Sequence, residues 1–304
     1  MGESGHWMSE LLVDNVKVKI TNPEKVLFPD LGLRKIDYIG KLIELGPYIL
    51  PHAKDRLLTT IRYPDGVEGK SFFQKNIPKY APDWIEQTEW NEIQYILLNS
   101  MAALVWLGNQ AALEFHTSFN LSQNENKPTD LVFDLDPSEG QGFDEVSESA
   151  LLIHETLKGL NIDSWVKTSG ATGLQIYIPV GQRYDYDTAR SINEFFGTYF
   201  SQRYPEKITI ERMVGKRDKK LYFDYLQMWN GKTITMAYSP RATPAASVSM
   251  PLTWEEIEAG IHPEDFHLLN AKERLQETGD LFLPLLSQEH TQDLDFILDY
   301  IPEN

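Results

Sequence analysis

Leu131-Val132-Phe133-Asp134-Leu135-Asp136-Pro137 decides the fold. Three apolar residues lead into two aspartates separated by one leucine, and a proline closes the run. On an extended strand successive side chains point to opposite faces, so Asp134 and Asp136 stand side by side while Phe133 and Leu135 occupy the other face. Two carboxylates about 4 Å apart repel by about 4 kcal/mol at an effective dielectric of about 20. A divalent cation reverses the sign of that interaction, which makes the pair a candidate metal site. The alternative is a strand end whose acids lead into a turn, because Asp-Pro is common turn chemistry.

A third acid lies downstream. Asp224 falls in Leu221-Tyr222-Phe223-Asp224-Tyr225-Leu226, read as a strand over Leu221 to Tyr225, where five apolar or aromatic neighbours argue against a solvated surface. A buried acid needs a partner. If this strand lies beside the Asp134 strand, three carboxylates converge as ligands for two divalent ions, as in-line phosphoryl or nucleotidyl transfer requires. Between these strands, Ser169-Gly170-Ala171-Thr172-Gly173 joins two expected strands. Its glycines would let backbone N–H groups approach phosphate oxygens, or the segment is simply a hairpin turn. Arg217, in a basic turn, and Arg241, in Tyr238-Ser239-Pro240-Arg241, offer planar forks suited to phosphate oxygens, or are ordinary surface arginines.

Composition narrows the chemistry. The 304 residues are 41% hydrophobic, enough for one large domain or two lobes, and contain no cysteine. Any metal is therefore held by oxygen or imidazole, which favours hard cations such as magnesium or manganese. The sequence shows no apolar run of membrane-spanning length and no signal-like start, so it reads as a soluble cytoplasmic protein with no membrane partner. Met1 to Met8 is read as an expression remnant. A net charge of −17 argues at first against a nucleic-acid partner, but the charge is unevenly spread. Residues 17–80 hold 12 Lys/Arg against 7 Asp/Glu, and residues 207–241 hold 8 against 3, whereas residues 83–163 hold 2 against 15. That asymmetry permits a basic face on an acidic protein.

Periodicity and turn signals give the order of elements: strands over 17–20 and 57–61, a helix over 35–45, a strand over 93–98, and a helix from Met101 to Phe115 that delivers His116. After the acidic strand come a helix over 143–160, strands over 163–167 and 174–179, a helix over 187–204 and a strand near 208–212. This order suits an α+β palm, an antiparallel or mixed sheet with helices on one face.

The segments LVFDLDP, KTSGATGLQIY, LYFDYLQ and KTITMAYSPRA, with the upstream NPEKVLFPD, RYPDGVEGKSFFQKN and WLGNQAALEFH, resemble the polymerase domain of bacterial ligase D, a branch of the archaeo-eukaryotic primase superfamily. The similarity runs from about Lys19 to Leu286. It implies a primase-type fold with an RRM-like catalytic sheet and an N-terminal α/β lobe, as one domain over 10–286. The lobe would cover about 10–128, the palm about 129–250, and an acidic segment 251–304. It also implies template-dependent and template-independent addition of nucleotides, NTP in preference to dNTP and usually with manganese, at gapped or broken DNA ends carrying a 5′ phosphate. Ku and a DNA ligase would be partners, and the bacterial nucleoid the location. By position, Asp134, Asp136 and Asp224 match the family's metal ligands. Ser169, Arg217 and Arg241 match contacts to the incoming triphosphate, and His116 a nucleotide-pocket histidine, or else a satisfied histidine at a helix end. Asn22, Lys25 and Lys35 match the pocket that grips the 5′ phosphate, and Phe72 and Phe73 match aromatics that stack on the template, although their apolar character alone would place them in a core.

The chain departs from the family's S-G-G-K-G-L-H segment: Thr172 stands for the lysine and Gln175 for the histidine. Glutamine still donates a hydrogen bond but carries no charge, so Gln175 is retained as a nucleotide contact of reduced strength. No K-x-D-G ligase nucleophile occurs, which suggests a stand-alone polymerase or an excised piece. Two rival readings follow. One is a break-binding or synapsis module with weak or no polymerase activity. The other is a haloacid-dehalogenase-like phosphatase, disfavoured because Pro137-Ser138 follows the second aspartate.

Overall fold

The computed structural model describes residues 8–301; the expected remnant at 1–8 lies outside them except for Met8. The N-terminal part runs β1 (Met8–Val13), β2 (Val16–Thr21), β3 (Val26–Phe28), β4 (Leu33–Arg34) and α1 (Lys35–Ala53). Asp37 caps α1 by accepting the Arg34 N–H at 3.0 Å, and the helix continues beyond the expected Leu45 through Pro47 and Pro51. Next come β5 (Leu58–Arg62), β6 (Phe72–Gln74), β7 (Gln87–Trp90), β8 (Ile93–Ile96), α2 (Met101–Asn109) and β9 (Ala112–Ser118).

The expected helix from Met101 to Phe115 is therefore two elements, and His116 sits on a strand. The chain turns at Ala111, whose φ is +55°. The Asn109 side chain holds that end in place, accepting from Thr21 N at 2.9 Å and donating to Lys19 O at 3.1 Å. β9 hid from the sequence reading because only Gln110 and Ala111 separate it from α2 and its opening Ala112-Leu113-Glu114 are good helix formers, although Glu114 and His116 alternate with Leu113 and Phe115.

The second part contains β10 (Asp130–Asp136), α3 (Phe143–Gly159), β11 (Trp165–Thr168), β12 (Leu174–Pro179), α4 (Tyr186–Arg203), β13 (Ile208–Thr209) and β14 (Leu221–Phe223). The strand expected to reach Arg212 stops at Thr209, and the one expected to contain Asp224 stops one residue short of it. Then come β15 (Thr233–Thr235), β16 (Pro251–Leu252), α5 (Trp254–Glu258), α6 (Ala271–Thr278) and α7 (Asp295–Leu298).

Two six-stranded sheets organise these elements. The palm sheet has the order β13-β14-β10-β12-β11-β16, antiparallel throughout except for the parallel β13–β14 pair. The other has the order β15-β9-β5-β8-β7, with β6 added against β5. Alternation along β10 sets the layers. Phe133 points to the helical side, where its ring lies 5.2 Å from Phe196 of α4 and 4.8 Å from Phe223. Burying several such rings contributes about 2 kcal/mol apiece, which pins β10 against α4 and fixes which face Asp134 and Asp136 take. β15 leaves the palm and pairs with β9, Thr235 opposite His116, so a cleft forms where the two sheets meet.

Candidate active site

Asp134, Asp136 and Asp224 each offer a carboxylate oxygen, and these oxygens lie within 4.8 Å of one another. Asp224 reaches the group from just beyond β14, where its N–H donates to Asp134 O at 2.9 Å. One of its oxygens accepts from Tyr222 Oη at 3.0 Å and Leu226 N at 3.1 Å, which leaves the other for a ligand. Burial, then the neighbouring charge of Asp136, pushes Asp134 up to about 8, and burial with Asp224 raises Asp136. Both shifts express one fact: three acids have been brought together out of water. A donor set of carboxylates alone suits a hard divalent cation, which would relieve that repulsion, so the residues fit such an ion.

Behind the acids runs a hydrogen-bond relay across three strands. Asp134, Gln175 and Lys167 are register partners on β10, β12 and β11. Gln175 Nε2 donates to Asp134 Oδ1 at 3.0 Å, while its carbonyl oxygen accepts from Lys167 Nζ. Lys167 is wholly buried and also donates to Ser249 Oγ at 2.6 Å. Burial drives this lysine well below its ordinary range, and the Asp134 charge opposes that drift. The lysine fixes which end of the Gln175 amide faces the acid, so Gln175 is placed as a ligand to Asp134. Lys167 escaped the sequence reading; its place before Ser169 on a β-strand, at the same parity as Gln175's partner position, was the available signal.

Asp134, Asp136, His116, Ser169, Gln175 and Arg241 line one cleft of about 330 Å³. Thr172 lines it too, as do Ala171 and Ile234 and, absent from the sequence reading, Gln227, Thr233 and Thr235; Asp224 is not among the lining residues. Arg241 Nη1 donates to Ser169 O and Thr235 Oγ1, both at 2.7 Å. The Ser169 turn is a tight hairpin whose Ala171 and Gly173 N–H groups are taken by Ser169 Oγ at 3.2 and 3.0 Å. Its glycines serve close approach: a Cβ on Gly173 would lie 2.4 Å from Leu135 O, and one on Gly170, at φ +73°, 2.5 Å from Arg241 Cγ. Arg217 is outside the cleft lining. Its guanidinium lies 3.7 Å from the centre of the Tyr222 ring and donates to the Glu211 and Arg212 carbonyls, meeting the acids through Tyr222 and through its charge, which opposes the rise of Asp136.

The remaining candidates lie on the N-terminal part. Asn22, Lys25 and Lys35 are brought together by backbone bonds, Lys25 N to Asn22 O at 3.1 Å and Lys35 N to Lys25 O at 2.7 Å. Lys25 pairs with Asp65 at 2.8 Å, and Lys35 Nζ donates to Thr21 O at 2.8 Å. Burial, with the charges of Lys25 and Arg62, lowers Lys35 to about 8. Phe72 and Phe73 on β6 are 45% and 69% exposed, which removes them from any core. Arg62 stacks on Phe72, its guanidinium carbon 5.1 Å from the ring centre.

Converging carboxylates at the ends of adjacent strands, helices behind and an arginine across the cleft form an arrangement of the kind that in-line nucleotidyl transfer requires. The sequence model of the LigD primase-polymerase domain matches residues 34–282, and the chain belongs to that family of nucleotidyltransferases. It is 35% identical over 283 residues to the bifunctional non-homologous end joining protein LigD of Bacillus subtilis, covering 93% of this chain and 46% of that protein. It is 31% identical to the multifunctional non-homologous end joining protein LigD of Mycolicibacterium smegmatis, covering 88% of this chain and 36% of that one. The chain thus spans about half or less of the curated relatives it matches. Among solved structures, the polymerase domain from Mycobacterium tuberculosis ligase D in complex with DNA superposes with a TM-score of 0.82 at 28% identity, covering 88% of this chain and 98% of that one. The primase-like α+β fold implied by the sequence resemblance is the fold observed.

Proposed function

We propose that this chain is a DNA-directed nucleotidyltransferase that extends 3′ ends at gaps and double-strand breaks, ribonucleotides being preferred, within end joining by Ku and a ligase. The convergence of Asp134, Asp136 and Asp224, the first two lining the cleft, in a chain of the LigD family, is the observation that carries this reading. The acids would hold manganese or magnesium, two ions in the full site, which lower the pKa of an attacking hydroxyl and stabilise a leaving pyrophosphate. The chain's own residues bind and orient. Arg241 and Ser169 face the triphosphate, with His116 and Gln175 beside them and Arg217 outside the lining. Gln175 holds Asp134 in place for the ligand set. The Asn22, Lys25 and Lys35 pocket takes the 5′ phosphate, whose nearly two charges suit two ammonium groups. Phe72 and Phe73 provide sequence-tolerant stacking for the template strand. Residues 10–286 form the polymerase unit, with a lobe to about 128, a palm to about 250 and an acidic segment beyond. Among the described residues no helix is long and apolar enough to cross a membrane.

The test is manganese-dependent filling of a gapped, 5′-phosphorylated duplex with NTP. Asp136→Ala should lower extension by about a thousandfold or more, several kcal/mol of lost transition-state stabilisation. Extension at the wild-type rate overturns the assignment, and DNA binding with no incorporation by the wild type favours the synapsis reading.

A further inference from the structure

Glu114 lies two residues before His116 on β9, so the two side chains share a face of the strand. It is only 5% exposed, yet its carboxylate is surrounded by partners. Oε2 accepts from His116 Nε2 at 3.0 Å and lies 3.2 Å from Arg241 Nε, an ion pair without the alignment of a hydrogen bond. Oε1 accepts the Ala242 N–H at 3.1 Å, tying the carboxylate to the segment that carries Arg241.

Donor and acceptor roles around this group run in one direction. Arg241 Nη1 donates to Thr235 Oγ1, so the threonine hydroxyl keeps its own proton to give. His116 Nδ1, 3.4 Å away, lies within reach of that proton. An ionised carboxylate only accepts, so the His116 proton must sit on Nε2, facing Glu114. Burial would push Glu114 up, but His116, Arg241 and the Ala242 N–H together hold it below the usual carboxylate range. Burial pushes His116 down, with Arg241 and Lys167 acting the same way and Glu114 opposing. A charge kept in such a place is costly where a mere strand-to-loop tie could be apolar.

The geometry points to Glu114 as a positioning residue of the nucleotide pocket: it fixes His116 as the Nε2–H tautomer and holds Arg241 where Nη1 meets the Ser169 carbonyl. The inference rests on the reading of the cleft as a nucleotide site. A guanidinium already anchored on three sides loses less rotamer freedom when it meets a triphosphate, which lowers the cost of binding.

Steady-state extension by Glu114→Gln, which keeps the size and removes the charge, tests it. KM for NTP should rise about tenfold while kcat stays within about twofold, the loss of one charge-assisted contact made equally in ground and transition states. In an Arg241→Lys background the same substitution should add less than about twofold, because its effect is already spent. A fall in kcat at unchanged KM, or effects that multiply in the double variant, overturns the proposal. Should Glu114→Gln fail to fold, Glu114→Asp carries the same test, since it keeps the charge but cannot reach both partners. Nitrogen NMR of His116 in the wild type provides a readout independent of turnover: the Nε2–H tautomer is expected, and Nδ1–H overturns the proposal. A wild type that extends no primer would defeat the reading of the cleft, while the tautomer measurement would still decide the role of Glu114.

Discussion

The acidic end of the palm and the basic corner at Asn22, Lys25 and Lys35 meet the same difficulty, like charges held close, in opposite ways. The acids stand half-buried on β10 and beside β14, and a wholly buried lysine, Lys167, faces them through one intervening amide. The lysines stand on loops and at a helix start, with Lys25 open enough to pair with exposed Asp65. Strand register can hold carboxylates at fixed spacing against several kcal/mol of repulsion, whereas loops leave charge to be settled by whatever arrives. The first arrangement suits a ligand that must be placed precisely, and the second suits a terminal phosphate gripped mainly by charge.

If the acidic side depends on that internal relay, the lysine behind it should be expensive to remove. Lys167→Met should lower stability by about 2 kcal/mol, leaving the buried Gln175 carbonyl and Ser249 Oγ without their donor. Thermal melting of the two proteins reads this directly, and a change within about 0.5 kcal/mol would break the comparison, since that is what a surface site gives. On the basic side the effect should be on recognition. Lys25→Ala with Lys35→Ala should reduce the preference for a 5′-phosphorylated over an unphosphorylated gap by about tenfold, the loss of one to two charge-assisted contacts. Equal preference before and after rejects the pocket. The smallest effect concerns pH. Lys35, lowered to about 8, is charged below that pH and loses its proton above it. Phosphate preference should therefore weaken a few-fold between pH 7 and 9 in the wild type and hold steady in Lys35→Arg, whose guanidinium stays charged. Identical profiles in both proteins would place the titrating group elsewhere.

Much of the palm was legible because its signals are local. The alternation in Leu131 to Asp136, the helix over Phe143 to Gly159 and the turn at Gly170 to Gly173 each show in 17 residues or fewer. The missed pieces are those set by what lies across space. β9 read as a continuation of α2 because Ala112, Leu113 and Glu114 are good helix formers and only the turn at Ala111 parts the two. Glu114 looked like one acid in an acidic region, and only the return of the chain at Arg241 and Ala242 gives it partners. Lys167 carries no mark in its own strand, since its partner Ser249 lies 82 positions away. The glycines after Ser169 were correctly placed in a turn, but the reason for them is the Leu135 carbonyl and the Arg241 side chain pressing from outside.

β15 has a consequence for how the molecule comes apart. Its three residues belong by sequence to the second half of the chain and by hydrogen bonding to the first, with Ile234 opposite Thr117 and Thr235 opposite His116. The first half cannot complete its ladders from its own residues, so melting the second withdraws an edge strand from it and the two are bound to unfold together. The walls of the cleft are thus joined by a shared seam where a hinge would otherwise lie, and access to the acids is governed by side chains and rim loops.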